Sequence, residues 1–147
     1  MINPYDDTYF MKQAFHEAQK AAERGEVPVG AVIVANNTVI ARAHNLTERL
    51  NDVTAHAEML AITGAAQYLG SKFLEECTLY ITVEPCVMCF GAIQWARPQR
   101  VVFGASESKT GYHSKGLIAS PKMEVISGVL ERECSDLMRS FFKLKRK

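Results

Sequence analysis

The sequence has few cysteines and no long apolar run. Four cysteines among 147 residues are too few for the disulfide framework of a small secreted protein. No apolar stretch reaches the length of about 18 residues that a membrane span needs, and the first residues lack the basic and apolar regions of a signal peptide. We therefore expect a cytoplasmic protein that does not enter a membrane.

The sequence also lacks an excess of charge, internal repeats and Gly/Ser-rich linkers. Seventeen Lys and Arg residues stand against sixteen Asp and Glu residues, and a formal charge of +1 gives no general argument for a nucleic-acid or membrane partner. The content of 48% apolar and 22% charged residues is that of an ordinary folded protein. With no boundary visible, we expect a single domain over residues 1–147.

Apolar periodicity predicts four helices and about five strands. Helices are expected over 7–25, 55–68, 85–96 and 130–144, and strands over 29–34, 38–42, 78–83, 100–103 and 123–126. The first two strands flank Asn36 and Asn37, which tolerate the left-handed conformation of a hairpin turn. After this hairpin, strands and helices alternate, so we expect a layered α/β domain. No element is predicted over 104–121, and a long irregular segment in a compact domain is commonly functional.

The residues best suited to chemistry are His56, Cys86 and Cys89. The two cysteines lie three positions apart at the start of a predicted helix, so their sulfurs share one face, and the helix dipole favours the thiolates that bind zinc. His56 also lies at a predicted helix start. One imidazole and two thiolates match zinc better than calcium or magnesium. On its own, however, the cysteine pair is equally compatible with redox chemistry.

Three protein ligands leave one position of a zinc ion open, as in catalytic sites. Glu58 is offset by two residues from His56, so the two side chains diverge on a helix and Glu58 is poorly placed to share the metal. It is better placed to exchange protons with a metal-bound water, whose pKa zinc lowers towards about 7. Cys77 and Cys134 lie in apolar periodic elements, and we interpret both as buried thiols without a role in the site.

The pattern His-x-Glu followed by Pro-Cys-x-x-Cys is typical of zinc nucleobase deaminases. Over nearly its whole length the chain resembles the bacterial tRNA-specific adenosine deaminases of the cytidine and deoxycytidylate deaminase superfamily. The resemblance is carried by residues 26–32, Asn45, 54–58, 78–80, 84–89, 100–105, 109–111 and a C-terminal helix with Glu133, Cys134, Phe141 and Phe142.

The resemblance implies a three-layer α/β/α cytidine-deaminase-like fold with a central five-stranded mixed sheet. It also implies a homodimer with one zinc per subunit that converts the wobble adenosine of a tRNA anticodon loop to inosine and releases ammonia. By resemblance, the zinc ligands are His56, Cys86 and Cys89, and Glu58 is the catalytic proton shuttle. The substrate-binding residues implied in the same way are Asn45, Ala57, Val29, Glu84 and Pro85.

A basic C-terminus modifies the conclusion from net charge. Residues 139–147 hold five of the seventeen basic side chains and no acidic one, so residues 1–138 carry twelve against sixteen, a charge of −4. With the resemblance, phosphate contact becomes a better interpretation than a solvated helix end. The RNA-contact candidates are Lys109, Thr110, Phe141, Phe142, Lys143, Lys145 and Arg146. We interpret Met88 and Trp95 as packing residues, in the core or between subunits, rather than as base-stacking groups.

Two other functions remain open from the sequence. Residues 91–98 resemble the corresponding stretch of bacterial guanine deaminases, and the segment after 109–111 is shorter than in the best-known tRNA enzymes. A deaminase of free guanine, free cytosine or deoxycytidylate is therefore the main alternative. A zinc-stabilised RNA-binding module without catalysis is the second, but such a module has no use for Glu58 beside an open coordination position.

Overall fold

The computed structural model describes residues 4–145. Within them lie four helices, α1 (Asp7–Glu23), α2 (Ala57–Leu69), α3 (Val87–Ala96) and α4 (Glu131–Lys145), and five strands, β1 (Gly30–Ala35), β2 (Thr38–His44), β3 (Thr78–Val83), β4 (Arg100–Ala105) and β5 (Glu124–Ile126). No helix among these residues combines the length and hydrophobicity needed to cross a membrane.

The strands form one mixed sheet in the order β2-β1-β3-β4-β5. β1 pairs antiparallel with both β2 and β3, whereas β4 pairs parallel with β3 and with β5. The β1–β2 turn is made by Asn36 and Asn37, both with positive φ, as predicted. The expected five-stranded mixed sheet is confirmed.

Alternate residues of the sheet bury its two faces against different helices. Ala31, Ile33, Leu79 and Ile81 lie in one core with apolar residues of α2 and α3. Val32, Tyr80 and Val102 face the other way, into a core with α1 that Leu130, just before α4, also borders. Helices therefore cover both faces, which confirms the three-layer α/β/α fold.

Both helices that carry the predicted zinc ligands begin later than expected. α2 begins at Ala57. Asp52 and Thr54, residue types that commonly cap a helix, bond to each other instead: the Thr54 backbone N–H and hydroxyl both donate to Oδ1 of Asp52 at 2.8 Å. α3 begins at Val87. His56 and Cys86 are thus the N-caps of α2 and α3, with extended backbones, rather than members of the helices.

The close approach of α1 to β1 depends on Gly30. A Cβ at Gly30 would overlap with the backbone of Ala14 and Ala18 in α1. The Gly30 N–H donates to the hydroxyl of buried Thr82 at 3.1 Å. This packing fixes the start of β1 beside the end of β3, the region where the candidate site lies.

Candidate metal centre and substrate pocket

The N-termini of α2 and α3 meet at the edge of the sheet where β3 ends. His56 and Cys86 occupy the N-cap positions, and neither uses its side chain to cap its helix. Most N-cap side chains accept a hydrogen bond from the first turn. These two side chains are instead free for another partner, and the sheet brings them together although thirty residues separate them.

The three predicted ligands converge in the structure. Nδ1 of His56 lies 3.7 Å from Sγ of Cys86 and 3.4 Å from Sγ of Cys89. All three ligand atoms lie within 4.8 Å of one another, and within residues 4–145 no other group of histidine, cysteine and carboxylate side chains converges in this way. One nitrogen and two sulfurs at this separation fit a single tetrahedral metal ion.

The electrostatics of the trio already favour a thiolate. The pKa of the Cys86 thiol is lowered to about 4, because the Cys89 thiol donates to the Cys86 sulfur and the His56 ring donates as well. The pKa of Cys89 is raised, because its thiol is that donor and because it is buried. The pKa of His56 is raised chiefly by its hydrogen bond to Cys86. When a metal ion binds, it replaces the protons that the Cys89 thiol and the His56 ring donate to the Cys86 sulfur.

Glu58 lies beside the trio without belonging to it. Its side chain is 3% exposed, and Oε1 is the one buried side-chain polar atom in residues 4–145 with no hydrogen-bond partner. The pKa of Glu58 is raised to about 7, chiefly because the carboxyl group is buried, with a smaller contribution from the Cys86 thiolate. An orphaned buried carboxyl oxygen is costly for folding, so its position next to a metal site fits a group that handles protons there.

Asn45 is oriented by a backbone contact. Its Oδ1 accepts a 2.8 Å hydrogen bond from the N–H of Ala57, the first residue of α2. The Asn45 backbone N–H donates to the Val29 carbonyl at 3.1 Å. Because the amide oxygen is occupied, the NH₂ group of Asn45 is the part available to a ligand. Ala57 therefore acts through its backbone, whereas the side chain of Val29 forms part of the pocket wall.

A cavity of about 550 Å³ opens over these residues. Its size is within the range of roughly 300–1,000 Å³ that small-ligand sites occupy. It is lined by Val27, Val29, Asn45, Thr47, His56, Glu58, Val83, Glu84, Cys86, Glu107, Ser108, Lys109, Thr110, Met138 and Phe142. The cavity thus combines the metal ligands, the orphaned carboxyl group and an oriented amide in one site.

The family model of the cytidine and deoxycytidylate deaminase zinc-binding region matches residues 4–105, a span that contains all three ligands. The chain belongs to the cytidine and deoxycytidylate deaminase family. This relationship, together with the convergent trio, confirms zinc as the cofactor. The redox interpretation of Cys86 and Cys89 is set aside.

Within the family, the chain is similar to enzymes that act on tRNA. It is 48% identical over 147 residues to the tRNA-specific adenosine deaminase of Bacillus subtilis, covering 96% of this chain and 91% of that protein. A solved structure from a study of A-to-I editing by tRNA:A34 deaminases at the wobble position has a TM-score of 0.81 and 43% identity, covering 88% of this chain and 99% of the other. The predicted resemblance is confirmed.

The guanine deaminase of Bacillus subtilis is also similar to this deaminase chain. It has a TM-score of 0.67 and 39% identity, but the match covers 78% of this chain and 71% of the other. The coverage, the identity and the TM-score are all lower than for the tRNA:A34 deaminase structure. The similarity agrees with the likeness of residues 91–98 to guanine deaminases.

Sequence reasoning missed Glu26, a buried carboxylate of the deaminase. Its oxygens accept from the backbone N–H groups of Glu48 at 3.0 Å and Arg49 at 2.8 Å. These contacts hold the loop between Asn45 and His56, two residues of the site. A glutamate between a helix end and a strand carries no sequence signal for a partner more than twenty residues away.

Met138 was also missed as a pocket residue. It belongs to α4, near the end of the chain, and lines the cavity. The interpretation of Cys77 and Cys134 as buried thiols is confirmed, since both are 1% exposed.

The predicted RNA-contact residues lie at different distances from the cavity. Lys109, Thr110 and Phe142 line it, and Lys143 lines a neighbouring cavity of about 490 Å³. Phe141 packs edge-on against Phe142, and the Lys145 ammonium lies over the Phe141 ring. Arg146 and Lys147 lie outside the described residues.

Pro85, one of the predicted substrate-binding residues, is buried and is not among the residues that line the substrate cavity. Its carbonyl accepts a hydrogen bond from the backbone N–H of Tyr112 at 3.0 Å.

Proposed function

We propose that this chain is a zinc-dependent deaminase that hydrolyses the wobble adenosine of a tRNA anticodon loop to inosine. The observation that carries the chemistry is the orphaned Oε1 of buried Glu58 beside the convergent ligands His56, Cys86 and Cys89. The substrate follows from the similarity to tRNA-specific adenosine deaminases over nearly the whole chain.

In this proposal, His56, Cys86 and Cys89 hold the zinc ion. When bound, zinc makes water nucleophilic at neutral pH. Glu58 accepts a proton from the attacking water and gives it to N1 of adenine as the new C6–O bond forms. Glu58 then carries the remaining proton of the new C6 hydroxyl to the exocyclic amine, the C6–N6 bond breaks as the C6 carbonyl forms, and ammonia leaves. Burial disfavours the charged form of the Glu58 carboxyl and so helps it to donate a proton as well as to accept one.

The remaining pocket residues orient the base. The NH₂ group of Asn45 donates to an acceptor on the ring, since its oxygen is already bound to Ala57. Val29 and the aliphatic part of the wall exclude water around the base. A nucleotide in a single-stranded loop loses little stacking energy when its base enters such a pocket, so an anticodon loop is a suitable substrate.

Space for neighbouring nucleotides favours RNA over a free base. The second cavity shares Val83, Glu107, Ser108, Met138 and Phe142 with the first and extends to Arg139 and Lys143 of α4. A single purine fills only part of this joined space. Basic side chains at the far end suit the phosphates that flank the base.

The test is a comparison of substrates with the zinc-loaded protein. An anticodon stem–loop with adenosine at the wobble position is incubated in parallel with free adenosine, guanine, cytosine and deoxycytidylate. We expect inosine in the RNA and no ammonia from the free compounds. The same stem–loop with guanosine at that position is the matched control. Ammonia from guanine with an unchanged stem–loop would establish the alternative function.

We further propose that the chain forms a homodimer through α3. We also propose that it folds as one domain and is located in the cytoplasm. α3 is apolar on its outward side too, where Val87, Met88 and Trp95 are 44%, 37% and 79% exposed. A helix that is apolar all round is normally covered on every side. We propose that a second copy of this chain covers the exposed side of α3. The proposed cytoplasmic location agrees with the thiolate zinc ligands, which need a reducing compartment to stay free of disulfides.

The oligomer is tested by light scattering of a Trp95→Glu variant. We expect it to elute as a monomer, because a charge in the centre of an apolar interface is strongly unfavourable. Gln19→Glu, an exposed change on α1, is the control and should leave the dimer intact. A wild-type monomer, or a dimer that survives Trp95→Glu, would contradict the proposed interface.

A further inference from the structure

Glu84 is the residue between the end of β3 and the Pro85-Cys86 turn. It lines the substrate cavity and is 7% exposed. Its Oε1 accepts a 3.0 Å hydrogen bond from the N–H of Glu107, and its Oε2 accepts one of 3.0 Å from the N–H of His113. Both carboxylate oxygens are therefore bound to the backbone of a single segment, residues 106–113.

Other contacts hold the 106–113 segment along the same turn. Tyr112 donates its backbone N–H to the Pro85 carbonyl at 3.0 Å, and Gly111 forms an isolated bridge with Cys86. The Tyr112 ring stacks on Phe90 of α3, with centroids 3.8 Å apart and planes within 2°. The segment is thus packed against the turn that carries a zinc ligand.

Gly111 allows the segment to approach the carboxylate this closely. A Cβ at Gly111 would overlap with the Glu84 carboxylate and with the Glu107 carbonyl. Any side chain at this position must therefore push the segment away from Glu84. The contact therefore depends on two specific residues: Glu84, which supplies two acceptor oxygens, and Gly111, which has no side chain.

The two hydrogen bonds enclose the exposed residues of the segment. Glu107 and His113 are the bonded ends, and between them Lys109 and Thr110 face the substrate cavity. The Lys109 backbone N–H also donates to the Glu107 carboxylate at 2.8 Å. With both ends held, the lysine and threonine keep a fixed place in the pocket wall.

We propose that Glu84 is a positioning residue that sets the affinity of the enzyme for its RNA substrate by holding residues 106–113 over the pocket. The inference rests on the proposed function, because Lys109 and Thr110 are taken to face the bound nucleotide. Glu84 itself does not contact the reacting atoms. Its loss therefore affects substrate binding, whereas the step carried out beside Glu58 and the zinc ligands continues.

The first test is the isosteric Glu84→Gln variant. Its NH₂ group faces one of the two backbone N–H donors, so one hydrogen bond is lost. We expect KM for the stem–loop to rise about tenfold, the usual scale for a charged hydrogen bond. The value of kcat should stay within about twofold of the wild-type value, and the zinc content should remain at one per chain. Disruption of the metal site would instead lower both kcat and the zinc content.

Gly111→Ala tests the same contact from the other side without changing Glu84. It should give the same selective rise in KM. Glu75→Gln, an exposed change far from the pocket, is the matched control and should change neither constant. A fall in kcat at constant KM in Glu84→Gln would overturn the inference, since Glu84 would then act in the chemical step.

Hydrogen exchange tests the positioning role without substrate. In the zinc-loaded, ligand-free protein, whichever of the Glu107 and His113 amides faces the new NH₂ group should exchange about tenfold faster in Glu84→Gln than in the wild type. Unchanged exchange would overturn the inference even if the enzyme edits RNA. If the wild type does not deaminate the stem–loop, the proposed function fails, and the exchange rates still decide whether Glu84 holds the segment.

Discussion

Oδ1 of Asn45 accepts a hydrogen bond from the backbone N–H of Ala57 at 2.8 Å and so joins the end of β2 to the first turn of α2. The contact fixes the orientation of the Asn45 amide, which in the proposed function faces the substrate. Ala57 also lies between His56 and Glu58 in the sequence. A single side chain therefore links the group proposed to orient the base to the backbone that carries a zinc ligand and the proposed proton shuttle.

Replacing Asn45 by Asp separates these two roles. The carboxylate still accepts from Ala57 and suits a helix N-terminus, but it has no NH₂ group to donate to the base. We expect kcat/KM for the stem–loop to fall at least about tenfold, with unchanged Tm and zinc content. Steady-state kinetics and calorimetry measure both effects. A variant with normal kcat/KM would show that the amide does not contact the base.

Glu58→Ala should keep one zinc per chain and lose at least about 10²-fold in turnover, the scale of a general acid–base group. Since Oε1 has no partner, Glu58→Gln should be at least as stable as the wild type, because it removes a buried ionisable group. Single-turnover kinetics, metal analysis and thermal unfolding provide the three readouts. Loss of zinc from either variant would instead make Glu58 a metal ligand.

Removal of zinc should abolish turnover but leave the protein folded. The two cores that cover the sheet do not depend on the metal, so we expect a native circular dichroism spectrum and a lower Tm after chelation. Cys86→Ser should behave like the chelated protein. Cys77→Ala, which removes a buried thiol outside the site, is the control and should retain zinc. Turnover that persists without metal would refute the proposed chemistry.

The Asp7–Arg100 pair predicts an acid-dependent part of the stability. The Arg100 guanidinium donates two hydrogen bonds to Asp7, at 3.1 and 2.9 Å, and holds the pKa of that carboxyl below 3.8. A lowered folded pKa stabilises the protein above pH 3.8, and this contribution is lost as the pH falls through the folded pKa.

Asp7→Asn should therefore lower the free energy of unfolding by about 1 kcal/mol at pH 7, a modest value because the pair is partly exposed. The difference from the wild type should shrink below pH 3.8 and be lost once the pH has fallen through the folded pKa of Asp7. Denaturant titrations across pH measure it. Glu23→Gln, an exposed change on the same helix, should show no such trend. A difference that stayed constant with pH would rule out the ion pair as its source.

The basic end of α4 predicts a salt-dependent contribution to RNA binding. Each phosphate contact with a single strand contributes about 0.7 to the slope of log K against log salt. Replacing Lys143 and Lys145 by Ser should weaken binding and flatten this slope. Replacing Lys12 and Lys20 of α1 by Ser changes the net charge equally and is the control. Equal slopes for both variants and the wild type would show that Lys143 and Lys145 do not contact phosphate and belong to a solvated helix end.

The fold follows from the sequence where local pattern decides the structure. Runs rich in β-branched and other apolar residues predicted β1, β3 and β4, and two Asn residues marked the hairpin turn. The start of α2 was missed because Asp52 and Thr54 are good capping residues whose preference for each other is not visible in a propensity.

The candidate site was predictable where ligand type and spacing carry the chemistry. His56, Cys86 and Cys89 follow from such a pattern, and the structure brings them together. Glu26 and Met138 have their roles only through the tertiary structure, since Glu26 bonds to a loop distant in sequence and Met138 reaches the pocket from the last helix. Contacts of this kind leave no periodic trace along the chain.

The family match ends at residue 105, the last residue of β4. The zinc ligands, Glu58 and Asn45 all precede this point, whereas Glu107 to Thr110, Met138 and Phe142 follow it and close the pocket. The metal chemistry and the amide of Asn45 are therefore supplied by the first stretch, whereas one wall of the pocket is supplied by the second. A change in the second stretch alters that wall without replacing a zinc ligand or Glu58.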